Sequence, residues 1–188
     1  MAIFSRAYKH LVIVDDKTGL GGDLQTWLDT KHGQAAVLEQ IDLEKPSMID
    51  TVFDRHKTLD ALICCTPIVD ARSWGLLTAD ALEARVKRKL WGQIHVALRA
   101  HAAIRGRRGL ITLTSGSETA GQDAVPARIA NAALERFVSD SARQDKDICI
   151  NIVRASLQVG ATASDDAVLA AYSQAIRRGD SGQPIDVT

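Results

Sequence analysis

The chain has 188 residues, 46% of them hydrophobic, which suits one domain with a full core over residues 1–188 and is short for two. Basic and acidic residues number 23 each, so the net charge is zero and gives no long-range pull toward nucleic acid or an anionic membrane. No run approaches the ~18 apolar residues of a membrane helix. The first apolar stretch, at 11–14, is too short for a secretion signal, and a cytoplasmic protein is expected.

The first strand is expected at 11–14 (LVIV), and it runs into Asp15, Asp16 and a glycine-rich loop. A strand, a glycine loop and a helix start form the layout of an anion cradle, in which backbone N–H groups face the ligand. Here the cradle opens with two carboxylates. Helical spacing follows at 23–32 (Leu24, Trp27, Leu28), then an apolar run at 35–41 carrying Glu39. That glutamate lies 20 positions after Gly19, where an acidic residue binds ribose hydroxyls in dinucleotide-binding folds.

A helix at 47–57 (Met48, Val52, Phe53) leads to a strand at 61–65, ALICC. Neighbours on a strand point to opposite faces, so Cys64 and Cys65 form neither an ordinary disulfide nor half of a zinc site. With Cys149 they read as reduced core thiols. The longest helix is expected at 79–104, the basic stretch at 105–109 is a solvated turn, and a strand follows at 110–114. A helix at 126–143 and a strand at 148–153 come next. The last helix starts at a Ser164 cap with Asp165 and Asp166 in its first turn. Arg177, Arg178 and Gly179 end it, and 182–187 (GQPIDV) reads as a short final strand. Strict alternation of strand and helix implies a doubly wound parallel sheet between two helical layers.

Segments in this order resemble the short-chain dehydrogenase/reductase family over almost the whole chain. TGLGGDL (18–24) is similar to the later glycines of its TGxxxGxG region, and IDLEKPSMIDTVF (41–53) to the segment whose aspartate, here Asp42, contacts adenine. LDALICCTP (59–67) resembles the LDxLVNNAG strand, and KRKLWGQIHVALRA (87–100) the helix that begins VNLxG. RGLITLTSGS (108–117) resembles the GxIVNISS strand. PARIANAALERFVSDSA (126–142) resembles the YxxxK helix and ICINIVRAS (148–156) the IRVNxVxPG segment.

The resemblance implies a nicotinamide-dependent oxidoreductase fold, but the family's functional positions are changed. Lys89 stands at the asparagine position, Ala127 at the tyrosine and Asn131 at the lysine. The serine falls at Ser115 or Gly116, so Ser115 is the one position of the four that could survive. Alanine transfers no proton, and losing a positioned general acid costs about 10²–10⁴-fold in rate. Neither other tyrosine, Tyr8 or Tyr172, is expected to substitute, and His95 and His101, six residues apart, lie on different helix faces.

Asp15 stands where the family's first cradle glycine allows close approach of the diphosphate. At ~5 Å and an effective dielectric of about 20, each like-charge pair costs on the order of 3 kcal/mol before screening. Pro67 in CCTP, replacing another glycine, removes a donor. The cofactor is therefore expected to be absent or weak. If Asp15 turns away, Gly19, Leu20, Gly21, Glu39, Asp42 and Leu43 are the contacts, and Glu39 favours NAD(H) over NADP(H).

With 23 positions between Gly19 and Asp42, the family's helix between strands 2 and 3 is expected to be missing or merged. The short stretch from Ser156 to Ser164 leaves no room for a substrate lid. The expected function is a non-catalytic scaffold or partner subunit, pairing with itself or an active relative through the helices at 79–104 and 126–143. The resemblance places a four-helix dimer bundle there, so Trp91, Ile94, Leu98, Ile129, Ala133 and Phe137 either face a partner or face the sheet. The alternatives are an NAD(P)-dependent oxidoreductase with displaced catalytic groups and a nucleotide or metabolite sensor.

Overall fold

The computed structural model describes residues 8–66, 78–104, 109–116, 125–155, 166–177 and 181–187. The elements run β1 (Leu11–Asp15), α1 (Leu20–His32), β2 (Val37–Gln40), α2 (Pro46–Arg55) and β3 (Ala61–Cys65). They continue with α3 (Ala79–Val86), a π turn (Lys87–Trp91), α4 (Gly92–Ile104), β4 (Leu110–Ser115), α5 (Val125–Gln144), β5 (Cys149–Arg154), α6 (Asp166–Arg177) and β6 (Pro184–Asp186). All six strands are parallel, in the order β2-β1-β3-β4-β5-β6.

The central strands are continuous apolar runs because both of their faces are covered. Alternate residues serve opposite layers. Val12, Val14, Leu62, Cys64, Ile111 and Leu113 join α2, α4 and α5 in one core, whereas Leu11, Ile13, Ala61, Ile63 and Cys65 join α1 and α6 in the other. The two adjacent cysteines thus belong to different cores, and none of Cys64, Cys65 and Cys149 forms a disulfide.

Between Gly19 and Asp42 only α1 and β2 form, so the family's helix between its second and third strands is missing, as expected, and α2 belongs to the later segment at 41–53. The shortening removes a strand as well. The dinucleotide-binding order 3-2-1-4-5-6 has a strand outside the second one, but every residue from 8 to 66 is described and β2 is the sheet edge. The helix expected at 79–104 is interrupted by the π turn. Beside it, a Cβ on Gly92 would lie 2.7 Å from Leu43 Cβ and 2.8 Å from the Leu43 carbonyl oxygen, so only glycine lets the segment after β2 lie against α4. The final strand is present as β6. Pro67, the turn at 105–108, the segment between Ser156 and Ser164, Asp165, Arg178 and Gly179 lie outside the described residues. Among the described residues no helix is long and apolar enough to cross a membrane.

Candidate functional site

The carboxyl ends of β1, β3, β4 and β5 form the rim where an open α/β sheet holds ligands. At the tip of β1, Asp15 is fully buried. Its carboxylate accepts the Thr18 N–H at 3.2 Å and the Gly19 N–H at 3.2 Å, and also the Thr18 hydroxyl. Gly19 takes the left-handed conformation (φ 87°) that starts α1. A Cβ on Gly21 would stand 2.6 Å from Asp15 Cβ and 2.8 Å from Leu38 Cδ1, so the bare glycine surface is covered by the aspartate side chain. Leu20 is buried in the core. The donors and the open surface of this turn are therefore used by the chain itself. A diphosphate bound at this turn would need the same N–H groups.

The groups expected at the nucleoside end are also engaged. Glu39 sits one residue short of the β2 tip, where its carboxylate accepts from Arg55 Nε at 3.2 Å, from Arg55 Nη2 and from His56 Nε2 at 2.8 Å. Partial burial raises its pKa, but the Arg55 and His56 hydrogen bonds outweigh this and leave it lowered. Asp42 accepts the Glu44 backbone N–H at 3.0 Å and lies 3.4 Å from Lys45 Nζ; the backbone hydrogen bond is the main cause of its lowered pKa. Leu43 is buried against Gly92.

Where the resemblance places catalysis, the structure gathers a different set. Ala127 is buried on α5, and Asn131, one turn along, donates its amide to the Gly116 carbonyl at 3.1 Å. Ser115 donates to Glu135 Oε1 at 3.2 Å, and that carboxylate also binds Arg154 through contacts of 2.8 and 2.7 Å. Tyr172 lies in the opposite layer, fully buried and bonded to the Thr114 hydroxyl, with burial pushing its phenol well above the ordinary range. Tyr8 is buried with its backbone bound to Gln34. His95 pairs with Asp50 and His101 with Asp145, on separate parts of the surface.

Lys89 differs from its neighbours. It lies in the π turn, 2% exposed, and its Nζ has no hydrogen-bond partner. Burial brings its pKa down from 10.5 to about 8. The turn is anchored on both sides. Arg88 Nε donates to Asp16 Oδ2 at 2.8 Å, and the buried Gln93 amide donates to the carbonyls of Lys89 (3.2 Å) and Thr114 (2.8 Å). π turns of this kind concentrate at functional sites. Sequence reasoning named Asp16 only as a second carboxylate of the cradle, and it missed Thr66, Arg88, Gln93, Glu135 and Arg154. The one available signal was Glu135, four residues after Asn131 and so on the same face of its helix.

Solved structures repeat this architecture. The protein lin1944 from Listeria innocua superposes with a TM-score of 0.82 at 19% identity, covering 95% of this chain and 99% of that one. The fold is that of the short-chain dehydrogenases. A small-chain dehydrogenase in complex with NADPH gives a TM-score of 0.80 at 21% identity over 95% of this chain and 96% of that one. YwfH, an NADPH-dependent reductase involved in bacilysin biosynthesis, gives 0.77 at 16% identity over 95% and 98%. No family model and no curated protein matches the chain in sequence. At these identities the likeness is one of fold, and function rests on the site.

Proposed function

We propose that this protein uses the short-chain dehydrogenase fold without its chemistry, as a non-catalytic scaffold or partner subunit that binds nicotinamide dinucleotides weakly or not at all. The carrying observation is the closed turn after β1. Its Thr18 and Gly19 N–H groups are bonded to the Asp15 carboxylate, and an incoming diphosphate must displace that carboxylate and approach its charge. The Ala127 and Tyr172 placements support the same reading, since no phenol is held over the rim by α5. Glu39, turned toward Arg55 and His56, supports no choice between NAD(H) and NADP(H).

The partner surface is the outer side of α4 and α5. Trp91, Leu98 and Ile129 are exposed there, while Ile94, Ala133 and Phe137 pack against the core. Leu98 forms a ridge between two apolar grooves, one reaching Pro46 and Trp91, the other reaching Phe137 and Ile148. A ridge beside a groove is self-complementary about a two-fold axis, so a second copy of the chain is the proposed occupant. A related short-chain dehydrogenase subunit is the other outcome to test.

Calorimetry with NADH and NADPH tests the first claim. The wild type binds neither below about 100 µM, and Asp15→Gly gains at least about tenfold. Tight wild-type binding instead supports an oxidoreductase with displaced catalytic groups, a reading made concrete by one neighbour of this fold in complex with NADPH and another that is an NADPH-dependent reductase. Light scattering tests the second. A dimer that Leu98→Asp converts to monomer is expected, and a monomeric wild type at micromolar concentration refutes self-association.

A further inference from the structure

His10 immediately precedes β1 and His56 immediately follows α2, and folding brings together two rings that lie 46 residues apart in the chain. His10 Nε2 and His56 Nδ1 are 3.0 Å apart, with the rings edge to face. The other nitrogen of His56, Nε2, bonds Glu39 Oε1 at 2.8 Å, and Arg55 holds the same carboxylate through two contacts. Glu39 stands opposite Val14 in the parallel register, on the sheet face that α2 covers. On the far side, the backbone N–H of His10 donates to Asp60 Oδ2 at 3.1 Å. One chain of bonds therefore ties the end of α2 to β2 and to the start of β1. Its centre is sheltered, with the His56 and Glu39 side chains 12% and 15% exposed.

Proton counting fixes what this chain of bonds tolerates. Despite partial burial, Arg55 and His56 hold the Glu39 carboxyl below its ordinary range, so it remains an acceptor down to about pH 5 and His56 Nε2 keeps its proton. A single proton then lies between His56 Nδ1 and His10 Nε2. A neutral His56 accepts it from His10, whereas a charged His56 donates it to a neutral His10. Both forms keep the bond, and the charged His56 is favoured by Glu39 and by the C-terminus of α2. Two imidazolium rings do not keep it, because their N–H groups would face each other with no acceptor between them. The surrounding charges give a second cation no relief. Arg55 and Lys57 flank His56 and Lys9 precedes His10, while Glu39 and Asp60 are already bonded to Arg55 and to backbone N–H groups. On α4, His95 faces Asp50 of α2 at 3.3 Å, and charging His95 strengthens that contact, an effect of opposite sign.

We propose that His10 and His56 form an acid-sensitive clasp, which holds the end of α2 on β1 and β2 while the pair carries at most one positive charge and opens when it carries two. The element it biases is α2, whose other end places Pro46 in the groove beside Trp91. The clasp does not depend on a partner binding there.

Hydrogen exchange of the full chain between about pH 7.5 and pH 5 tests it, with rates corrected for the intrinsic effect of pH. In the wild type, protection of the last turn of α2, including the His56 N–H bonded to the Val52 carbonyl, falls at least about tenfold on acidification. His10→Gln offers His56 Nδ1 either an acceptor or a donor but takes up no proton, and its protection changes less than about twofold over the same range. Imidazole NMR of the wild type gives a second reading that needs no variant: the two rings charge in separate steps more than about one pH unit apart, His56 first. The proposal is overturned if wild-type protection holds at pH 5, if His10→Gln loses as much, or if both rings charge together.

Discussion

Replacing Lys89 by methionine should stabilise the folded protein at neutral pH, and the size of the effect follows from the lysine's environment. Burial lowers its pKa from 10.5 to about 8, with no neighbouring charge among the causes. A difference of about 2.5 pH units corresponds to about 3 kcal/mol at 1.36 kcal/mol per unit. Below pH 8 both folded and unfolded chains carry the proton, and the full penalty for the buried charge applies. Between about 8 and 10.5 the unfolded chain binds more protons than the folded one, so wild-type stability from this group rises with pH and the penalty fades. Methionine carries no charge, fills a similar volume and removes the whole dependence. Urea unfolding of both proteins from pH 6 to 9.5 should therefore show Lys89→Met ahead by about 3 kcal/mol at pH 6–7 and by about 1 kcal/mol at pH 9.5. Comparing the two proteins subtracts the other groups that titrate in this range. A variant less stable than wild type at pH 7, or a gap that does not narrow with pH, refutes the assignment of Lys89 as an unpartnered buried ammonium.

Gly21→Ala forces a Cβ to 2.6 Å from Asp15 Cβ and 2.8 Å from Leu38 Cδ1, and should lower stability by about 2 kcal/mol. In an Asp15→Gly background only the Leu38 clash remains, so the loss in urea unfolding should fall to about half; equal losses in both backgrounds refute the close approach. Gln93→Leu removes two donated bonds and one accepted from the Thr114 N–H at 2.9 Å, all buried. It should cost about 3 kcal/mol, and a loss under about 1 kcal/mol means that Gln93 does not lock the π turn to β4. Glu135→Gln weakens the two-point hold on Arg154 and should cost about 1 kcal/mol, discounted because both side chains are partly exposed. An unchanged unfolding midpoint counts against that hold.

The strands were legible because a parallel strand covered on both faces must be apolar throughout, and runs such as LVIV and ALICC meet that condition directly. The edge strand was less sharp: 35–41 was expected and Val37–Gln40 forms, since one side has no neighbouring strand to select its residues. α1 begins at Leu20, three residues before the expected 23, although Gly21 and Gly22 disfavour helix. Here tertiary contact overrides propensity, because Asp15 holds the Thr18 and Gly19 N–H groups and needs the bare Gly21 surface. The π turn left no trace in KRKLW, whose apolar spacing continues a helix; its anchors, Asp16 and Thr114, lie far away in the chain. The same distance hid the fate of Glu39. Its position on β2 suited a ribose, but only folding brings Arg55 and His56 to its carboxylate. Asp15 was expected to act by repulsion across the cradle. In the structure it acts first by occupancy, satisfying the donors that a phosphate would use.

These details divide the rim into two halves of opposite character. On the β1–β2 side, Asp15, Glu39 and Asp42 all have their carboxylates bound by donors from the same chain. A dinucleotide competing there faces a carboxylate tethered within four residues of its donors, at an effective concentration above the millimolar range of a flexible tether. Its adenosine and diphosphate would gain few new hydrogen bonds in return. Across the switch point, Asp16, Thr66, Lys89 and Asn131 each retain a buried atom without a partner. Affinity is greatest where a ligand supplies partners that the free protein lacks, because the desolvation of those groups has already been met in folding. The unsatisfied half carries one unpartnered ammonium and three acceptor-capable oxygens, so the two halves of the rim differ in how far the chain itself meets their hydrogen-bonding groups.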